Sequence, residues 1–159
     1  MLLTFALLVL ATTTAAPLAY GDYPAVSLYH GTPSPPDLGS DPKAKRYRSV
    51  LRESAKAGPN FAGHYTLVKI GCGSSCILVA VVDAVDGHVR FPEALRMIHW
   101  AGWWQEPYGP QYQVSSRLLM VYGLANTEDG PYGVSYFLWT GQDFTLLRFE
   151  RRDPGKPPE

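Results

Sequence analysis

The sequence predicts an α+β fold, a single domain in which a mostly antiparallel β-sheet of about six strands packs against one N-terminal amphipathic helix. The length of 159 residues suits one compact domain and is short for two. An aromatic content of 13% indicates a globular chain, and 15 glycines and 14 prolines imply many turns. From residue 62 onward, strand-like segments alternate with turn signals.

An export signal is predicted over residues 1–16. Residues 2–10 form an uncharged apolar run, and the small residues that follow suit cleavage after Ala16 or Ala19. No basic residue precedes Lys43, so the basic start of a usual signal is missing. The run is shorter than the roughly 18 apolar residues that cross a bilayer. We therefore expect a periplasmic or extracellular protein with no stable membrane span after cleavage.

Three further regions are expected after the signal. Residues 17–39 are rich in Pro, Gly and Ser and predict an extended or loosely ordered arm. Residues 40–150 contain the regular patterns and form the globular domain. Residues 151–159 are polar and proline-rich, which predicts a disordered tail.

The charge of the chain argues against nucleic acid as a partner. Lys and Arg total 14, and Asp and Glu also total 14, so the formal net charge is zero. Because the predicted signal carries no charged residue, the mature protein is formally neutral as well. A general affinity for phosphate backbones is therefore not expected.

One helix is predicted, over residues 42–57. Asp41 suits the N-cap, Pro42 suits the first helical position, and a following Gly-Pro pair ends the helix. A helical projection places an apolar face (Ala44, Tyr47, Val50, Leu51, Ala55) opposite a basic face (Lys45, Arg48, Arg52, Lys56). We expect the apolar face to pack on the sheet. The basic face is either a solvated surface or a binding surface for an acidic partner or an anionic envelope lipid, with Lys45, Arg48 and Arg52 as candidate contacts.

The strands are predicted from β-branched and aromatic runs between turn signals. Residues 76–85 are continuously apolar, as in a central strand that is buried on both faces. Asp86-Gly87 is a two-residue hairpin signal that should fold the next strand back antiparallel. The predicted strands are residues 62–70, 76–85, 88–91, 117–122, 134–140 and 143–149.

Cys72 and Cys76 are the only cysteines and lie in a glycine-serine loop. Exported cysteines meet an oxidising compartment, and the neighbouring glycines let the backbone bend, so we expect a structural disulfide. A redox-active pair, a metal site completed by histidines and a cysteine nucleophile with His64 as base are the alternatives. The CxxxC spacing differs from the CxxC of thioredoxin-like redox sites. It lies within the usual spacing of zinc ligands, but no second local Cys or His pair completes a zinc pattern, so no metal, cofactor or catalytic residue is assigned.

The stretch HWAGWWQEPYGPQY, residues 99–112, holds three of the four tryptophans. Such a cluster either fills the core under a loop or forms a platform for sugars or peptides. Two adjacent tryptophans in a loop bounded by Gly and Pro cannot easily both point inward. The candidate binding residues are therefore Trp103, Trp104, Glu106 and Tyr108.

The segment NFAGHYTLVKIGCGSSC, with VDAVDGHV, SRLLMVYG and YFLWTGQDFTLL after it, resembles a family of exported bacterial proteins. The shared features are F-A-G-H-Y, a G-C-G-x-x-C loop, a D-x-x-x-G hairpin and a late W-x-G-x-x-F hairpin. The resemblance covers residues 59–149 and implies a folded exported domain. It implies no activity, so no catalytic residue is carried over from it.

The sequence favours a non-catalytic exported binding or interaction module. It contains no nucleophile elbow, P-loop, zincin helix or dinucleotide fingerprint. The aromatic loop and the basic helix face are its candidate surfaces, with an envelope protein or a glycan as the expected kind of partner. The alternative is an envelope enzyme, either a thiol-disulfide enzyme that uses Cys72 and Cys76 or a hydrolase that uses His64 with a nearby carboxylate.

Overall fold

The computed structural model describes residues 16–100 and 107–153. In these ranges one α-helix and eight β-strands form a mostly β fold, preceded by a 3₁₀ helix at Tyr20–Asp22. The elements are α1 (Arg48–Lys56), β1 (Tyr65–Gly73), β2 (Cys76–Asp83), β3 (Val89–Arg90), β4 (Met97–His99), β5 (Gly109–Tyr112), β6 (Leu118–Ala125), β7 (Gly133–Trp139) and β8 (Phe144–Arg151).

The strands form one sheet in the order β1-β2-β4-β6-β7-β8. Outside this order, strand β3 pairs with β2 and strand β5 pairs with β6. All the hydrogen-bonded strand pairs are antiparallel. The prediction of a mostly antiparallel sheet is confirmed, and the hairpin at Asp86-Gly87 is confirmed by the pairing of Val82 with Val89.

All six predicted strands are present, and two further short strands were not predicted. Strands β4 and β5 were missed because they are only three and four residues long. The sequence of β5, Gly-Pro-Gln-Tyr, lacks the β-branched run that marks a strand. Both strands fall in or beside the stretch that was interpreted as an aromatic loop.

The sheet is strongly curved. Tyr65 opens β1 and Trp139 closes β7, four positions apart in the strand order. In a flat sheet this separation would be about 19 Å at ~4.8 Å per strand. Their ring centroids are only 5.3 Å apart. The sheet therefore curls around one interior core.

Aromatic rings fill one end of that core. Phe61 precedes β1, is fully buried, and lies with its ring centroid 6.0 Å from both Tyr112 and Phe144. Trp139 is 1% exposed and lies 4.9 Å from Phe144, ring to ring. Aliphatic side chains from β1, β2, β4 and β6 complete the core, including Leu67, Val79, Val81, Ile98, Leu119 and Val121.

Helix α1 covers the outer face of β1 and β2. Leu51 is fully buried and Ala55 is 4% exposed, and Tyr47 and Val50 pack at the edge of the same cluster. The prediction that the apolar face packs on the sheet is confirmed. Burial of one side chain the size of Leu51 contributes about 1.5–3 kcal/mol to folding.

The start of the helix differs from the prediction. Asp41 does accept a hydrogen bond from the Lys43 amide (2.8 Å), but it caps a turn and not α1. Successive i→i+3 hydrogen bonds, such as Arg46 to Lys43, carry the chain through turns until α1 begins at Arg48. Capping signals do not distinguish such turns from a first α-helical turn.

The arm between Ala16 and the helix runs extended over the domain. Leu18, Tyr20 and Tyr23 pack on the outer face of β6 and β7. Burial raises the pKa of Tyr20 to about 12, with a smaller contribution from Tyr122. Backbone hydrogen bonds then fix the arm along its length, from Ala25 to Ser115, Tyr29 to Gly63, Ser34 to Ala84 and Asp37 to Gly87.

Both ends of the chain extend beyond the described residues. The predicted signal falls almost entirely in residues 1–15, which lie outside the described residues, as do residues 154–159. Strand β8 extends to Arg151, and the Arg152 amide donates a hydrogen bond to the Tyr132 carbonyl (2.9 Å). Of the helices in the described ranges, none is long and apolar enough to cross a membrane.

Candidate binding site

The two cysteines form a disulfide at the tip of the β1–β2 hairpin. Their Cα atoms lie 5.2 Å apart, within the range of disulfides. Gly73 pairs with Cys76 and Gly71 pairs with Ile77, so Cys72 is the extra residue of a β-bulge. The bond therefore joins a bulged, exposed residue to the buried first residue of β2 and closes the loop between the two strands.

Removing the disulfide is expected to lower stability modestly. The chain-entropy model gives about 2 kcal/mol for a loop of this length. The variant Cys72→Ser with Cys76→Ser should therefore lose about 2 kcal/mol or less in urea unfolding and keep the native circular dichroism spectrum. A variant that failed to fold would contradict this limited role, and free thiols in protein from the cell envelope would contradict the bond itself.

The structure does not bring His64 and Cys72 together. They lie at opposite ends of β1, about 26 Å apart at ~3.3 Å per residue. His64 instead faces Asp83, with 3.6 Å between Nε2 and Oδ2, and stacks on Tyr65 at 4.0 Å between ring centroids. Burial, and secondly Asp83, raise the pKa of the Tyr65 phenol above its ordinary value.

The F-A-G-H-Y segment and the Asn60 before it are hydrogen-bonded to other segments of the chain. Asn60 exchanges two side-chain hydrogen bonds with the Leu67 backbone, at 2.8 and 3.2 Å. The Gly63 amide donates to the Val114 carbonyl (2.6 Å), and its carbonyl accepts from the Tyr29 amide (3.0 Å). Because these bonds join three separate segments, the backbone of this motif has a role in the fold.

The aromatic stretch is described only in part. Trp103, Trp104 and Glu106 lie outside the described residues. Tyr108 is 50% exposed, and its ring centroid lies 6.3 Å from that of Trp100. These two rings, with Ile77, Pro110 and the polar side chains Lys69 and Gln111, line a surface groove, which we call the aromatic groove.

The predicted basic surface divides into two parts. Lys45, Arg48 and Arg52 are exposed, as the helical projection requires. Arg52 lies beside the proline-rich arm, where it lines a shallow groove with Pro33 and Pro36. Arg48 donates a hydrogen bond only to the Lys45 carbonyl (3.3 Å) among its described contacts. These three cations converge on no common apolar floor.

A different set of cations does converge on an apolar floor. We call this site the cationic groove. It has a volume of about 260 Å³ and lies between the turns before α1, the first half of β2 and the segment after β3. Its lining residues are Lys43, Arg46, Tyr47, Leu78, Val79, Phe91, Pro92 and Arg96.

The floor of the cationic groove is aromatic. Tyr47 and Phe91 lie with their ring centroids 5.7 Å apart and their planes tilted by 39°. The Nζ of Lys43 is 5.5 Å from the Phe91 ring centroid, and the Cζ of Arg46 is 5.5 Å from the Tyr47 centroid. Cation–π contacts of this kind hold the charged groups beside the rings.

The positive charge of the groove is only weakly compensated. Lys43 forms an ion pair with Glu93 at 3.9 Å, but both side chains are at least half exposed. Such surface pairs contribute little energy. No carboxylate in the described part of the chain lies within ion-pair distance of Arg46 or Arg96. Three cations therefore surround an apolar floor, and among the described residues Glu93 is the one carboxylate within ion-pair distance of them.

Sequence reasoning did not find this groove. The projection started an α-helix at Pro42, whereas Lys43 and Arg46 belong to the turns before α1 and point to the β2 side. Arg96 and Phe91 come from a distant segment, and no spacing in the sequence connects them to Lys43. The pair Arg46-Tyr47, a cation beside an aromatic residue, was the only local signal.

Metal binding finds no support in the arrangement of side chains. Within residues 16–100 and 107–153, no group of three His, Cys, Asp or Glu residues could hold a metal ion. The disulfide also removes both thiolates from such a role.

Comparisons with protein families, with curated proteins and with solved structures find no match to this chain. The resemblance to the exported bacterial family therefore stays a prediction, and the function has to be inferred from the geometry.

Proposed function

We propose that this is an exported, non-catalytic binding protein that takes a small amphiphilic anion in the cationic groove. The observation that carries the proposal is the convergence of Lys43, Arg46 and Arg96 on a floor of Tyr47 and Phe91. Export is supported by the apolar N-terminal run and by the disulfide between the only two cysteines, since disulfides persist in oxidising compartments.

The chemistry of the groove defines the ligand. Guanidinium groups present paired donors that match a carboxylate or a phosphate, and arginine stays charged at any physiological pH. The aromatic floor favours a flat apolar group. The volume of about 260 Å³ is just below the roughly 300–1,000 Å³ of sites for drug-sized molecules. A single aromatic ring that carries one anionic group fits these requirements.

Calorimetric titration with phenylacetate, phenyl phosphate and phenylacetamide tests the proposal. The two anions should bind and the neutral amide, which has the shape of phenylacetate, should bind at least about tenfold more weakly. The variant Arg46→Gln with Arg96→Gln should lower the affinity for the anions by about tenfold or more, because each charge-assisted hydrogen bond contributes about 1.5–3 kcal/mol before screening by solvent.

The matched control is Arg48→Gln with Arg52→Gln. It removes the same charge from the exposed face of α1 and should leave the affinity within about twofold, since these residues do not line the groove. Equal losses in both double variants would show a nonspecific charge effect and contradict the proposed site. Equal affinity for phenylacetamide and phenylacetate would contradict the requirement for an anion.

The aromatic groove supports a second candidate function, the binding of a glycan. Its specific observation is the exposed Tyr108 beside Trp100, because sugars stack on such rings. Lys69 and Gln111 supply polar groups along the same groove. This groove shares no lining residue with the cationic groove, so the two candidate functions can be tested separately.

A further inference from the structure

We infer that β8 is a self-association surface, on which a second copy of this chain pairs edge to edge and antiparallel, centred on Phe149. Strand β8 ends the order of the sheet and pairs only with β7 in the described part of the chain. This surface is distinct from both grooves, so the inference does not depend on the proposed ligand.

Strand β8 exposes three apolar side chains. Leu146, Leu147 and Phe149 are 54%, 37% and 39% exposed. An unpaired edge strand with such residues is a template for pairing with another chain. Exposed apolar side chains on successive residues of an edge are generally avoided unless they are covered in use.

The direction of the backbone groups shows which part of β8 can accept a partner. The Arg152 amide donates a hydrogen bond to the carbonyl of Tyr132, the residue just before β7. Because backbone groups alternate in direction along a strand, Arg148 and Glu150 also direct theirs towards β7. Phe149 and Arg151 consequently direct theirs outward. Leu147 is the extra residue of a β-bulge, so the regular edge is confined to residues 148–151.

Charge selects one register for the second copy. If Phe149 pairs with its own copy, Arg148 lies opposite Glu150 of the second chain, and Glu150 lies opposite Arg148. A shift of the register by two residues in one direction places Glu150 opposite Glu150, and in the other direction Arg148 opposite Arg148. Directly opposed like charges destabilise a strand pair, whereas opposite charges stabilise it.

The existing ion pairs agree with this arrangement. Glu150 already forms ion pairs with Arg148 and with Arg152 at 2.9 Å. Arg148 also lies over the Tyr136 ring at 5.0 Å and donates a hydrogen bond to the Ala16 carbonyl (2.9 Å). These contacts hold the charged groups on the face of the sheet opposite Phe149. A two-fold pair would join them into one network and would bring the two Phe149 rings together on the other face. Because the edge is short, we expect a weak, concentration-dependent dimer.

Sedimentation equilibrium on the mature protein, with its disulfide intact, tests the inference. The apparent mass should rise towards twice that of the protomer with increasing concentration, and Phe149→Lys should remain monomeric. Glu150→Arg should dissociate the dimer by opposing arginines, and Arg148→Glu combined with Glu150→Arg should restore it. A constant monomer mass at all concentrations would overturn the inference.

Cross-linking identifies the register independently of the charge variants. Phe149→Cys should form an intermolecular disulfide on mild oxidation, because the residue opposes itself across the two-fold axis. Thr145→Cys is the matched control, an exposed residue of the same strand that faces no copy of itself, and should stay unlinked. Equal cross-linking at both positions would indicate nonspecific contact and would overturn the inference.

Discussion

Replacing Phe61 by alanine is expected to lower the free energy of unfolding by about 3–5 kcal/mol, the range for large aromatic residues in a core. Phe61 is completely buried, and its ring contacts Tyr112, Trp139 and Phe144. These neighbours come from three different strands, so they cannot collapse together into the space that the ring leaves. Urea unfolding followed by tryptophan fluorescence measures the loss.

Phe61→Leu is the control for this prediction. Leucine keeps most of the apolar volume, so it should cost less than half as much as alanine. A loss below about 1 kcal/mol for Phe61→Ala would be typical of a surface position and would contradict the placement of this ring in the interior of the curved sheet.

Replacing Gly63 by alanine is expected to destabilise the protein by more than about 2 kcal/mol. Gly63 has φ +91°, a conformation that costs an L-residue roughly 1–2 kcal/mol. An added Cβ would also overlap the carbonyl oxygen of Ser27 in the arm. The arm would have to move away and lose its hydrogen bond from Tyr29 to the Gly63 carbonyl. Urea unfolding measures the total.

Gly71→Ala is the matched control, in the strand β1 that follows Gly63. Gly71 is exposed, has no atom near its Cβ position and does not adopt a positive φ. We expect a change within about 0.5 kcal/mol, as for other surface substitutions. If both glycine variants lost equal stability, the specific role of the Gly63 conformation would be contradicted.

The elements that the sequence predicted correctly are those whose signals are local. The apolar face of α1 and the long runs of β1, β2, β6, β7 and β8 repeat over seven to nine residues, which is enough for the periodicity to be read. The β2–β3 turn was marked by Asp-Gly. The disulfide followed from a pair of cysteines with no competing partners.

The curvature of the sheet and the cationic groove could not be predicted, because they depend on contacts between distant segments of the chain. Curvature of the sheet brings Tyr65 to Trp139, and neither residue carries a local sign of the other. The cationic groove likewise combines Arg46 with Arg96, which are 50 positions apart in the sequence. Because the helix was predicted to begin at Pro42 and not at Arg48, the predicted basic face consisted of other residues, including Lys45, Arg48 and Arg52.

The F-A-G-H-Y segment has a role in folding. Within F-A-G-H-Y, Phe61 fills the core and Gly63 connects the arm to the sheet, so these two positions are explained by structure alone. His64 and Asp83 form the one pair with acid–base potential near this motif, and no cysteine lies beside them. Binding at the cationic groove is the function that we propose for this domain.

The most direct test of that assignment is the mapping of amide chemical shifts in ¹⁵N-labelled protein during a titration with phenyl phosphate. The proposal predicts saturable shifts concentrated at Arg46, Tyr47, Phe91 and Arg96, and none at the exposed helical positions Arg48 and Arg52. Shifts that are spread over all basic residues, that increase linearly without saturation, or that are missing from the cationic groove would contradict it.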